Sequence, residues 1–146
     1  MPAHTKQKQL ALLIDADNTQ LSLIRQLMAR AGSYGSLIVR RAYGDWSSPR
    51  LQRWRTTLHR YGIVPVHLFN YAKGKNAADL ALSIDAVDML HLGQFDGMCI
   101  ASSDSDYTLL ALRARQEGVR VYGFGERQTP RAFVGACERF IYLDTL

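Results

Sequence analysis

Glutamate is scarce in this chain: three Glu stand against ten Asp in 146 residues. Cysteine is scarcer still. Cys99 and Cys137 lie in apolar surroundings without CxxC spacing, which argues for two small buried hydrophobes and against a disulfide or a zinc site. No apolar run approaches the roughly 20 residues of a membrane span, so no membrane association is expected. The opening residues, Met1 to Gln9, are polar and carry no signal-peptide apolar stretch. They read as a disordered or extended tail over 1–9 on a cytoplasmic protein. Lysine is also sparse, with four Lys against fourteen Arg, within a net charge of +5. A basic body of this kind tilts the reading towards a polyanionic partner. The apolar share of 47% is that of an ordinary globular protein, and one domain over 10–146 is expected.

Apolar runs and helical patterns alternate along the chain. Leu10–Ile14 reads as a strand buried on both faces. Thr19–Ala31 follows as a helix, with Leu23, Leu27 and Met28 at helical spacing. Ser36–Tyr43 is a second strand, Pro49–Tyr61 a helix with proline at its first position, and Ile63–Phe69 a third strand. Pro65 puts that strand at a sheet edge. Asn76–Leu92 gives the longest helix signal, with Leu80, Ile84, Val87 and Leu90 expected to face the core. Met98–Ala101, Tyr107–Glu117, Val119–Phe124, Pro130–Cys137 and Phe140–Leu143 continue the alternation. The fold class is therefore α/β, a Rossmann-like three-layer sandwich on a mainly parallel sheet. With strand order 3-2-1-4-5, the carboxyl ends of strands one and four meet at the switch point where such sheets bind ligands.

The aspartates gather at those places. Asp15, Asp17 and Asn18 follow the first strand; Asp79 opens the long helix after Lys73, Lys75 and Asn76; Ser102, Ser103, Asp104, Ser105 and Asp106 follow the fourth strand. Helix capping explains one such residue per helix, with Asn18 or Thr19, Asn76 and Asp79 all suited to it. It does not explain five polar residues in a row, or a carboxylate ending a wholly apolar strand. Carboxylates drawn from distant sequence repel one another unless a cation lies between them. Oxygen donors of this kind suit Mg2+ or Mn2+. Asp15, Asp79, Asp104 and Asp106 are the candidate metal-binding and catalytic residues. Asn18, Asp17, Asn76 and Ser103 are candidates to support them, and Lys75 to hold a phosphate. Asp85 and Asp88 read as solvated helix positions, Asp85 the nearer to the pocket rim. Arg40, Arg41 and Lys73 are candidate nucleic-acid contacts, and Tyr43, Trp46 and Tyr71 candidate stacking platforms for single-stranded bases.

Several pieces together resemble a known family. They are Leu12-Leu-Ile-Asp15-Ala-Asp-Asn18, Lys75-Asn-Ala-Ala-Asp79, Ala101-Ser-Ser-Asp104-Ser-Asp106-Tyr107, Gly118-Val-Arg-Val-Tyr-Gly-Phe-Gly125 and Ala136-Cys-Glu-Arg-Phe-Ile-Tyr-Leu143. In this order they resemble the NYN domain of the PIN-like nuclease superfamily, in its bacterial limkain-type group. The resemblance implies a PIN-like sheet and a metal-dependent ribonuclease, endonucleolytic rather than exonucleolytic, with its acidic site on Asp15, Asp79, Asp104 and Asp106. It also implies single-stranded RNA as partner; a homodimer is an open expectation.

No histidine lies in the acidic motifs, which favours metal activation of water over a side-chain base. Two other readings stay open. Asp15-Ala-Asp-Asn-Thr19 also fits the start of a haloacid-dehalogenase-like phosphohydrolase, with Asp15 as nucleophile and Asp17 as acid/base. The same acidic fold can also serve as a non-catalytic module that binds RNA or protein.

Overall fold

The structure, a computed structural model, describes residues 7–68, 77–103 and 105–145. The readings made on Tyr71, Lys73, Lys75, Asn76 and Asp104 lie outside the described residues. Six strands form one sheet: β1 (Gln9–Asp15), β2 (Ser36–Gly44), β3 (Val64–His67), β4 (Gly97–Ala101), β5 (Arg120–Gly125) and β6 (Arg139–Tyr142). All neighbours pair in parallel, in the order β3-β2-β1-β4-β5-β6. The helices are α1 (Ile24–Gly32), α2 (Trp54–Tyr61), α3 (Ala77–Leu92), α4 (Thr108–Gln116) and α5 (Arg131–Ala136). None of them, among the described residues, is long and apolar enough to cross a membrane.

Alternation along β1 builds the three layers. Leu10, Leu12 and Ile14 pack with α1 and α2 residues such as Leu27 and Trp54. Ala11 and Leu13 point the other way, into a second core with Leu82 of α3, Leu110 of α4 and Phe133 of α5. A strand covered on both faces has no polar position to spare, which is why β1 is apolar up to Asp15. The chain winds outward from β1 to β3, then returns to start β4 on the other side of β1. That reversal opens a crevice at the carboxyl ends of β1 and β4. In register, Ile14 lies beside Ala101 and Ala101 beside Phe124, so Asp15, Ser102 and Gly125 begin the three loops in one row.

Element boundaries differ from expectation where side chains have tertiary work. The helix expected from Thr19 begins at Ile24, after short 3-10 turns at Ala16–Asn18 and Leu21–Leu23. Thr19 is held out of the helix by its hydroxyl, which donates to the Ala101 carbonyl at 3.3 Å. The second helix likewise starts as a 3-10 turn at Pro49–Leu51 and becomes α-helical at Trp54. It ends at Gly62, whose φ of +62° is a left-handed conformation that glycine adopts without strain. Pro65 does sit on an edge strand, since among the described residues β3 pairs with β2 alone, but β3 is only four residues long.

The face of α3 is the main correction. Ala78, Leu82, Ala86 and Met89 face the sheet, while Leu80 and Ile84 are each 62% exposed. Of the four expected core residues, Leu90 is buried and Val87 half-buried. The helix is apolar almost all round, so two stripes fit its 3.6-residue period. The stripe with two alanines packs inward because small side chains let the helix approach the sheet.

Candidate metal centre at the strand ends

Asp15 follows the Ala11 and Leu13 side of β1, so its carboxylate is directed towards α3 and α4. It has no exposed surface. Its Oδ2 accepts four hydrogen bonds: from Asn18 Nδ2 at 3.0 Å, and from Ser102 Oγ, Ser105 Oγ and Tyr107 OH at 3.1 Å each. Its Oδ1 is buried and has no partner among the described residues. One oxygen is thus crowded with donors and the other is bare. A buried polar atom left unpaired costs about 1–3 kcal/mol, more when charged, and calls for a ligand that would satisfy it.

A second carboxylate lies close enough to matter. Burial, and then the charge of Asp15, hold the Asp79 carboxyl above its ordinary value of 3.8. Asp79 stands in the first turn of α3, half-buried, with its Oδ1 accepting from the Leu80 N–H at 3.1 Å. Tyr107 is pushed well above the usual phenol range, by burial first and then by the negative charge of Asp15 and Asp79. Its hydroxyl therefore stays protonated and donates to Asp15. A bare carboxylate oxygen, a neighbouring acid that it repels, and an all-oxygen surround of aspartate and serine fit a hard divalent cation. Among the described residues no group of three or more His, Cys, Asp or Glu is gathered as a metal cage. Of the four expected ligands, Asp15 and Asp79 are the two that lie near each other among the described residues.

The loop after β4 is held from the β5 side. Ser103 Oγ donates to Glu126 Oε2 at 2.7 Å, and Thr129 Oγ1 donates to the Ser103 carbonyl at 3.2 Å. The Ser103 N–H donates to the Asn18 carbonyl at 2.7 Å. Gly125 allows this close approach, since a Cβ there would collide with the Ser102 carbonyl oxygen. Glu126 is a buried carboxylate that sequence reasoning passed over, although it follows a strand at the same sheet edge as Asp15. In the sequence Tyr107 reads as the start of a helix and the last residue of the Ala101–Tyr107 motif, not as a site residue. Its position directly after Ser-Asp-Ser-Asp was the available signal.

The NYN domain profile matches residues 9–144. The chain belongs to the NYN family. That family is part of the PIN-like nuclease superfamily, whose domains typically use divalent metals. A search of curated proteins finds no match. A crystal structure of a protein of unknown function from Vibrio parahaemolyticus is similar in fold, with a TM-score of 0.75, 17% identity and 94% of each chain covered. The WlbA dehydrogenase from Bordetella pertussis, solved with NADH and UDP-GlcNAcA, aligns at a TM-score of 0.46 and 14% identity over 94% of this chain and 36% of its own. A likeness that low bears on neither fold nor function.

Within the NYN domain, the remaining expected residues divide by place. Asn18 joins Asp15 directly and also donates to Ser105 Oγ at 3.3 Å. Asp17 instead pairs with Arg50 at 2.7 Å; burial and the Asp15 and Asp45 charges raise its pKa, while Arg50 opposes them. Asp106 is exposed and turns to α4, where its Oδ1 accepts from the Thr108 N–H at 2.9 Å and from the Thr108 hydroxyl. It makes no trio with Asp15 and Asp79. Arg40 donates to the Leu37 and Tyr61 carbonyls, tying β2 to the end of α2. Arg41 pairs with Asp85 at 3.3 Å, and Tyr43 OH donates to the same carboxylate at 2.7 Å. Asp85 is therefore a strap between α3 and β2, not a solvated position. Tyr43 is fully buried, which removes it as a stacking platform. Trp46 donates its indole N–H to the Val66 carbonyl at 3.0 Å and packs edge-on against Trp54. Cys99 and Cys137 are both free thiols, as expected.

Proposed function

We propose that this NYN domain hydrolyses phosphodiester bonds of single-stranded RNA, using Mg2+ or Mn2+ held by Asp15, Asp79 and Asp104. The observation that carries the reading is the buried Oδ1 of Asp15, unpartnered among the described residues, beside the Asp79 carboxylate. A bound ion would supply charge to the scissile phosphate and a lowered pKa to its water. The chain's own groups prepare the place. Asn18, Ser102, Ser105 and Tyr107 load Oδ2 of Asp15 and so fix the direction of Oδ1. Asp106 anchors the loop to α4 through Thr108, and Glu126 anchors it to β5 through Ser103. Lys73 and Lys75 are assigned to the RNA backbone. Asp17 would have to act as an acid over Asp15 in a phosphohydrolase, and its ion pair with Arg50 speaks against that role.

The action is assigned as endonucleolytic, and a circular substrate tests both points together. Wild-type protein with Mg2+ or Mn2+ is expected to open a labelled circular single-stranded RNA, and EDTA to stop it. Asp15→Asn and Asp104→Ala are each expected to lose the activity. Equal cleavage by wild type and either variant would show a contaminant and defeat the proposal.

A further inference from the structure

A cavity of about 390 Å3 lies beside the acidic centre. Asp17, Asn18, Thr19, Gln20, Arg50, Arg53, Glu126 and Gln128 supply its polar lining, and Leu51 and Trp54 belong to its apolar wall. These residues come from the turn after β1, the start of α2 and the loop after β5. Leu51 and Trp54 belong to the core on the α1–α2 face of the sheet, whereas Asp15 is directed to the α3–α4 face. Asn18 joins the two, lining the cavity while its amide donates to Asp15 Oδ2 at 3.0 Å. A chain crossing the crevice at Asp15 would meet this cavity next.

The chemistry of the lining is specific. The Arg53 side chain is exposed and makes no hydrogen bond or ion pair with the described residues. Arg50 is held towards the cavity by Asp17, with bonds to its carboxylate at 2.7 Å and its carbonyl at 3.4 Å. Two guanidinium groups at one rim match a phosphate, which they bind through paired N–H donors. Glu126 is buried, with Oε1 accepting from Gln20 Nε2 at 2.8 Å and Oε2 from Ser103 Oγ at 2.7 Å. A carboxylate has about four lone-pair sites, so Glu126 keeps acceptor capacity after both bonds. The Gln20 and Gln128 amides offer donor and acceptor together. Fixed amide and carboxylate groups over an apolar wall are the means by which proteins read unstacked bases. The volume falls within the roughly 300–1,000 Å3 of small-molecule sites.

We infer that this cavity is the subsite for the nucleoside monophosphate unit adjoining the cleaved bond of single-stranded RNA. Arg50 and Arg53 take its phosphate, and Gln20, Glu126 and Gln128 meet its base edge. The inference rests on the nuclease reading for the identity of the polymer, but its binding chemistry needs no metal.

The test is a titration of isotope-labelled protein, in EDTA, with the four 5′-nucleoside monophosphates and with a single-stranded RNA hexamer. Saturable shifts are expected in the Asn18, Gln20 and Gln128 side-chain amides and the Trp54 indole. The hexamer is expected to bind more tightly than the mononucleotides and to displace them. Arg53→Glu is expected to weaken both by about tenfold, and Gln128→Ala to weaken them less. In cleavage assays with Mn2+, Arg53→Glu should raise KM for RNA by more than it lowers kcat. No saturable shift at millimolar nucleotide overturns the subsite. Mononucleotide binding that the hexamer neither exceeds nor displaces marks a free-nucleotide site and also overturns it. A wild type that binds the hexamer here, by these shifts, but cleaves no RNA defeats the catalytic reading while the subsite stands.

Discussion

Among the described residues Asp15 spends one oxygen on the protein and keeps the other bare, and that asymmetry is a residue-scale property with measurable consequences. Of its four donors, Tyr107 can lose its hydroxyl while phenylalanine keeps the ring against Phe133. A hydrogen bond to a charged group contributes about 1.5–3 kcal/mol, so Tyr107→Phe should destabilise the fold by roughly that amount. Urea unfolding at neutral pH measures it. A loss below about 0.5 kcal/mol, the scatter of surface substitutions, would mean that the carboxylate does not depend on this donor. The variant should also weaken Mn2+ binding, because Oδ1 is aimed by what Oδ2 holds. The need for a partner at Asp15 was legible from sequence, since a carboxylate ending an apolar strand is costly without one. Tyr107 and Glu126 were not, because a tyrosine before a helix and a glutamate in a loop are ordinary until register sets them beside Asp15 and Ser103.

At the scale of elements, strand order and the sheet edge of the site followed from alternation of apolar runs and turn residues. The helix faces did not follow so well. In α3 the inward stripe of Ala78, Leu82, Ala86 and Met89 and the outward stripe of Leu80 and Ile84 have equal periodicity. Only packing against β1 and β2 distinguishes them, and that is long-range information. Two substitutions on the one helix test the assignment. Leu82→Ala opens a cavity in a fully buried position and is expected to cost about 2–5 kcal/mol. Ile84→Ala, from a mostly exposed position, is expected to stay within about 0.5 kcal/mol of wild type. Reversal of that order in denaturant unfolding would mean that α3 is rotated. The start of α1 shows the same limit. Thr19 has good capping chemistry, yet its hydroxyl is drawn to the Ala101 carbonyl across the crevice.

For the whole molecule, folding brings the negative charges of Asp15 and Asp79 together and leaves the chain to bear their repulsion. Asp79 carries the sign of that cost: burial and Asp15 hold its carboxyl above 3.8 in the folded protein. A group whose pKa is raised on folding contributes its full stability below its unfolded value, where both states are protonated, and that contribution is lost as pH rises through the raised value. At neutral pH without metal the ionised Asp79 is therefore a penalty on the fold. Asp79→Asn is expected to raise the melting temperature in EDTA at pH 7, and the gap between variant and wild type should close as pH falls towards 3.8. Mg2+ or Mn2+ should reverse the order. Binding at a hundred times Kd stabilises the native state by about 2.7 kcal/mol, and wild type gains this while Asp79→Asn gains less. Melting curves of the two proteins across pH, with and without the ion, measure both effects. Equal stabilisation of both by the metal would remove Asp79 from the centre. A variant less stable than wild type in EDTA at pH 7 would show that Asp79 supports the fold by its charge, and that the bare oxygen of Asp15 is not waiting for a shared cation.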